Sequence, residues 1–66
     1  MTCREYAAEN GIPIIGSLRR MPDHFDPFRG KLYRWYMDEA GTEFHMDKVG
    51  GKWTCYFAIT EDGEGV

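Results

Sequence analysis

Residues 31–59 read KLYRWYMDEAGTEFHMDKVGGKWTCYFAI, and this stretch decides the fold. Large apolar side chains recur at every second position: Tyr33, Trp35 and Met37, then Phe44 and Met46, then Trp53, Cys55, Phe57 and Ile59. A period of two belongs to a strand with one buried face, so the pattern predicts a three-stranded meander with strands near 32–37, 42–47 and 53–59. Asp38-Glu39-Ala40-Gly41 and Lys48-Val49-Gly50-Gly51 read as four-residue hairpin loops, each ending on a glycine suited to the left-handed position. Those loop lengths pair Met37 with Thr42, Trp35 with Phe44 and Tyr33 with Met46. In the second hairpin they pair Met46 with Trp53 and Phe44 with Cys55. Trp35, Phe44, Trp53 and Phe57 are then expected in the core, and Arg34, Tyr36, Glu43, His45, Asp47, Thr54 and Tyr56 on the solvent face.

Upstream, Thr2-Cys3-Arg4-Glu5 matches the capping box, in which the Thr2 hydroxyl accepts from the Glu5 N–H and the Glu5 carboxylate returns to the Thr2 N–H. The spacing predicts a helix over about 3–10, ended by Gly11, with Ile12 folding back on Ala7 or Ala8. Ile12, Ile14 and Leu18 alternate with polar residues and suggest a short strand with Pro13 at its start. PDHFDPFRG, residues 22–30, reads as an ordered loop that Phe25 and Phe28 pin to the body. Residues 61–66 are acidic and glycine-rich, and are expected to fray. The expected fold is α+β: a single domain over 1–66 with one short N-terminal helix on a small antiparallel sheet, the C-terminal meander plus a short N-terminal strand.

Sixty-six residues bury a modest core, which leaves little room for a water-excluded active site. The net charge of −3 is unevenly divided: residues 1–36 carry six basic and four acidic side chains, and residues 37–66 two basic and seven acidic. Direct nucleic-acid binding, which needs a concentrated basic surface, is therefore disfavoured. No apolar run is long enough to span a bilayer, and no signal-like stretch follows Met1-Thr2-Cys3-Arg4, which points to the cytoplasm. In that compartment two cysteines read as free thiols or metal ligands.

Two cysteines and two histidines are the ligand inventory of a structural zinc ion, which would add directly to the stability of so small a domain. Cys3 and Cys55 face inward on the expected helix and last strand. His24 lies beside Asp23 and Asp26, so Cys3, His24, Cys55 and Asp26 form the coherent quartet, with Asp23 or His45 as substitutes. The alternative is that both cysteines are small core hydrophobes and both histidines solvated. No nucleophile motif or phosphate loop is present, and an enzyme is not expected. Tyrosine and arginine on the expected solvent face are the composition of an interaction surface, although such pairs also stabilise a sheet with no partner present.

The opening TCREYAAENGIPIIG, residues 2–16, together with the small size and acidic balance, resembles the small proteins of phages and other mobile elements, among them the anti-CRISPR inhibitors. EYAAENGI also resembles the first helix of a helix-turn-helix regulator, but Pro13 and the strand signal after it argue against that fold. The anti-CRISPR resemblance implies a protein–protein interaction module that blocks a host nuclease, such as a Cas protein, from engaging DNA. Tyr36, Asp38, Glu39, Glu43, Asp47 and Tyr56 are the expected contacts. The alternatives are a structural or regulatory phage protein acting as an oligomer and, third, a small zinc-dependent enzyme.

Overall fold

The computed structural model describes residues 1–63. It is a small α+β domain in which one helix, α1 (Cys3–Glu9), packs on a five-stranded antiparallel sheet. The strands are β1 (Arg19–Arg20), β2 (His24–Asp26), β3 (Lys31–Met37), β4 (Glu43–Val49) and β5 (Lys52–Ile59). Their order is β1-β3-β4-β5, with β2 on the N-terminal half of β3.

The helix forms as its local sequence dictates. Both halves of the capping box are made: Glu5 N–H donates to Thr2 Oγ1 at 3.1 Å and Thr2 N–H to Glu5 Oε1 at 2.8 Å. At the other end Ile12 N–H donates to the Ala7 carbonyl at 2.9 Å and Gly11 N–H to that of Ala8 at 3.5 Å, with Gly11 at φ +67°. This is a Schellman closure, and it turns Ile12 back onto the core.

The expected N-terminal strand is displaced. Gly16 at φ +72° breaks any extended run, and the Ile15 and Ser17 N–H groups donate to the Asp38 and Glu39 carboxylates instead of to a neighbouring strand. Pairing begins only at Arg19, opposite Met37. The segment 22–30 is also more regular than a loop, because His24, Phe25 and Asp26 pair with Tyr33, Leu32 and Lys31. Phe25 and Phe28 do not pin it: they are 54% and 98% exposed. The turn closes through Asp26, whose carboxylate accepts from Phe28 N–H at 2.9 Å and whose carbonyl accepts from Gly30 N–H at 2.8 Å.

The three meander strands lie where the periodicity placed them, but the register of the first hairpin differs by one residue. Met37 pairs with Glu43, Tyr36 with Phe44, Trp35 with His45 and Arg34 with Met46. Thr42 belongs to the turn, since Asp38 Oδ1 accepts from the N–H groups of both Ala40 and Thr42, and the Thr42 carbonyl accepts from Asp38 N–H. A one-residue slip exchanges the faces of a strand. Tyr36 therefore packs against the helix-side core, and Trp35 lies on the far side with His45. In the second hairpin Gly50 and Gly51, at φ +57° and +80°, form a two-residue loop between the paired Val49 and Lys52. Two successive positive φ values suit the right-handed twist of the flanking strands, and this turn shifts the register by two, which keeps Trp53 and Cys55 on the helix side. A bulge then places Phe57 opposite His45 and Cys55 opposite Met46, with Tyr56 between, so Phe57 moves to the far face and Ala58 takes the core position.

The core is thus Cys3 and Ala7 from α1 against Phe44, Met46, Cys55 and Ala58, with Tyr6, Ile12, Ile14, Leu18, Tyr36 and Trp53 packed around it. Residues 61–63 continue the chain as a turn, with Gly63 N–H donating to the Thr60 carbonyl at 2.8 Å; the rest of the expected frayed tail lies outside the described residues.

Candidate interaction surface

Because the only helix among the described residues covers one face of the sheet, the other face is left to cover itself. It does so with a run of rings across three strands. Trp35 stacks on His45 with centroids 5.9 Å apart, His45 meets Phe57 edge-on at 6.0 Å, Phe57 stacks on Tyr56 at 6.3 Å, and Tyr56 tilts against Tyr33 at 6.1 Å. Both ends of the run are tied by polar contacts. Trp35 Nε1 donates to the Pro22 carbonyl at 2.7 Å, and Arg29 donates to the Tyr33 hydroxyl at 2.8 Å while its guanidinium lies 5.8 Å from that ring's centroid. His45 Nε2 lies 3.0 Å from Glu43 Oε1, and Lys31 reaches Asp47 at 3.6 Å. The Tyr33 hydroxyl raises the guanidinium pKa of Arg29 further, with the half-buried Asp26 contributing less.

Tyr56 is the accessible member, 43% exposed, and desolvation by its neighbours, assisted by Tyr33, pushes its phenol up. Arg29 leads from this end of the run to the tip of the β2–β3 hairpin, where Phe28 is almost wholly exposed and Phe25 and its strand partner Leu32 are each more than half exposed. Exposed single apolar residues are ordinary, whereas several large ones at one end of a small domain are characteristic of a contact surface. The sequence reading missed this tip. The signal was available in Phe25 and Leu32, which bracket the Asp26–Gly30 turn at hairpin spacing.

The expected contact residues divide. Tyr56 is exposed, and Glu39, Glu43 and Asp47 are exposed or half-buried. Tyr36 is half-buried on the helix side. Asp38 is 4% exposed and acts inside the fold, where its two carboxylate oxygens hold the N–H groups of Ile15, Ala40 and Thr42 at 2.9–3.0 Å.

The four expected zinc ligands fall into two pairs. Cys3 and Cys55 share the core, where the Cys55 thiol donates to the Phe57 carbonyl at 4.0 Å, while His24 and Asp26 lie on β2 against β3. Among the described residues no group of three or more histidine, cysteine or acidic side chains is arranged to hold a metal ion. In the thiol pair, interaction with the neighbouring Cys3 thiol lowers the Cys55 pKa. Interaction with the Cys55 thiol, reinforced by burial, holds Cys3 protonated far above the usual thiol range.

Among the described residues no helix is long and apolar enough to cross a membrane. The chain matches no known family, no curated protein and no solved structure.

Proposed function

We propose that this chain is a protein–protein interaction module that inhibits a nucleic-acid-processing enzyme, of the anti-CRISPR kind, by occluding a basic nucleic-acid channel. One observation carries the reading: Phe28, Phe25 and Leu32 stand exposed on the β2–β3 hairpin, and Tyr56 at the accessible end of the ring run, in a domain too small to spare large apolar side chains from its core. The partner chemistry follows from charge. Seven acidic against two basic residues in 37–66 would be steered toward a positively charged channel, with Glu39, Glu43 and Asp47 at the rim and the rings as anchors. Aromatic anchors set the dissociation rate, and rim charges the association rate and its salt dependence.

The test is binding to a panel of purified Cas nucleases, with and without competing DNA. Phe28→Ser should change stability by less than about 0.5 kcal/mol, as at an unengaged surface position, yet weaken binding by more than about 1 kcal/mol if Phe28 is an anchor. Tyr56→Ala should also weaken binding, DNA should compete, and added salt should slow association. Absence of binding to every nuclease, or a Phe28→Ser/Tyr56→Ala double variant that binds like the parent, removes the proposal. A stable dimer by light scattering, lost in that double variant, would instead identify the exposed end as a contact between copies of this chain, in line with the oligomeric alternative.

A further inference from the structure

We propose that Cys3 and Cys55 form one oxidisable site, at which a small disulfide of the glutathione type converts the thiol pair into an intramolecular disulfide that locks α1 to β5. The placement of the two residues supports this. They come from opposite ends of the chain, yet both lie in the same buried cluster, 6% and 3% exposed. Cys55 N–H donates to the Met1 carbonyl at 2.9 Å, so the backbone ahead of Cys3 runs alongside β5, and the two side chains pack within that one cluster. They are the only cysteines in the sequence, so no competing intramolecular pairing exists. Cys3 also lines a surface depression with Thr2, Arg4, Leu18, Tyr36 and Met46, which gives a small reagent a route to that residue.

The chemistry is two thiol–disulfide exchanges. One protein thiolate attacks a sulfur of the external disulfide, whose S–S bond breaks. A mixed disulfide forms, and the departing thiolate takes up the proton that the protein thiol released. The second protein thiol, on losing its proton, attacks the protein-side sulfur of the mixed disulfide, and the second small thiol leaves carrying that proton. In sum the protein loses two hydrogens and two electrons, and the external disulfide is reduced to two thiols. The bond closes a loop from residue 3 to residue 55, nearly the whole chain, where the entropic restriction of the unfolded state is large. This inference is independent of the proposed function.

The experiment exposes the native full-length chain to oxidised glutathione, then measures intact mass, a non-reducing peptide map and thermal unfolding. The expected product is a monomer lighter by two hydrogens, with one cross-linked peptide pair containing residues 3 and 55. Its melting temperature should be higher by about 10 °C or more, and reversed by reductant. A persistent glutathione adduct, an intermolecular dimer, or thiols that stay alkylatable when the denatured chain oxidises would overturn the proposal. Cys3→Ala should show no rise in melting temperature under the same treatment, and a rise retained in that variant would also overturn it. The mass and peptide map of the unsubstituted chain decide the question even if Cys3→Ala does not fold.

Discussion

The two faces of the sheet are built from different materials. On the helix side the buried residues are small or sulfur-bearing, Cys3, Ala7, Met46, Cys55 and Ala58, around Phe44, the one large side chain that is fully buried among the described residues. On the other side five rings cover one another, each only partly withdrawn from water except Tyr33. A seven-residue helix brings few side chains, so the face it covers must be filled by close approach, which small residues permit. The face without a helix needs side chains wide enough to shield each other and carrying polar groups that tolerate solvent. The same sheet is therefore a packed core on one side and a contact-ready surface on the other.

The largest expected effect separates those faces. Phe44→Ala should cost about 3–5 kcal/mol in chemical denaturation as a large-to-small change in a closed core, whereas Phe57→Ala should cost less than about 2 kcal/mol because its ring keeps solvent contact. Equal costs would mean that the ring face is covered in solution, as by a second copy of the chain.

The next effect concerns the group that decides which side chains reach which face. Asp38→Ala leaves the N–H groups of Ile15, Ala40 and Thr42 without their acceptor and should cost about 2–4 kcal/mol. Asp38→Asn keeps one carbonyl-type oxygen for Ala40 and Thr42 and should cost less, with faster amide exchange at Ile15 as its signature. Unchanged exchange at all three amides in Asp38→Ala would show that the hairpin holds its register without the carboxylate.

The smallest effect tests the helix that covers the core face. Thr2→Ala removes half of the capping box and should cost about 0.5–2 kcal/mol. The backbone and side-chain hydrogen bonds of Thr2 lower the Glu5 pKa, so the folded state binds the Glu5 proton less readily than the unfolded chain does. That contribution is complete above the ordinary glutamate range and is lost as pH falls through the folded value. Stability measured down an acid series should therefore decline less in Glu5→Gln than in the parent. Parallel curves would show that the Glu5 half of the box does not form in solution.

How much was legible follows from the range of each interaction. The helix start at Thr2, its stop at Gly11 and the strand positions in 31–59 depend on residues within a turn or two of each other, and sequence alone determined them. The exposed partner of the aromatic run, Tyr56, was also legible, because the bulge left it on the solvent side. Hairpin β2–β3 was hidden by two prolines around a strand of only three residues. The faces of β3 and of the end of β5 were decided by tertiary structure. Asp38 Oδ2 holds the Ile15 N–H, 23 positions away, while Oδ1 holds Ala40 and Thr42 in the turn; that one added turn residue carried Trp35 away from the core and Tyr36 into it. Periodicity reports that a strand has two unlike faces. Which face meets the helix rests on a register that a single turn carboxylate can change by one residue, and a change of one reverses every side chain.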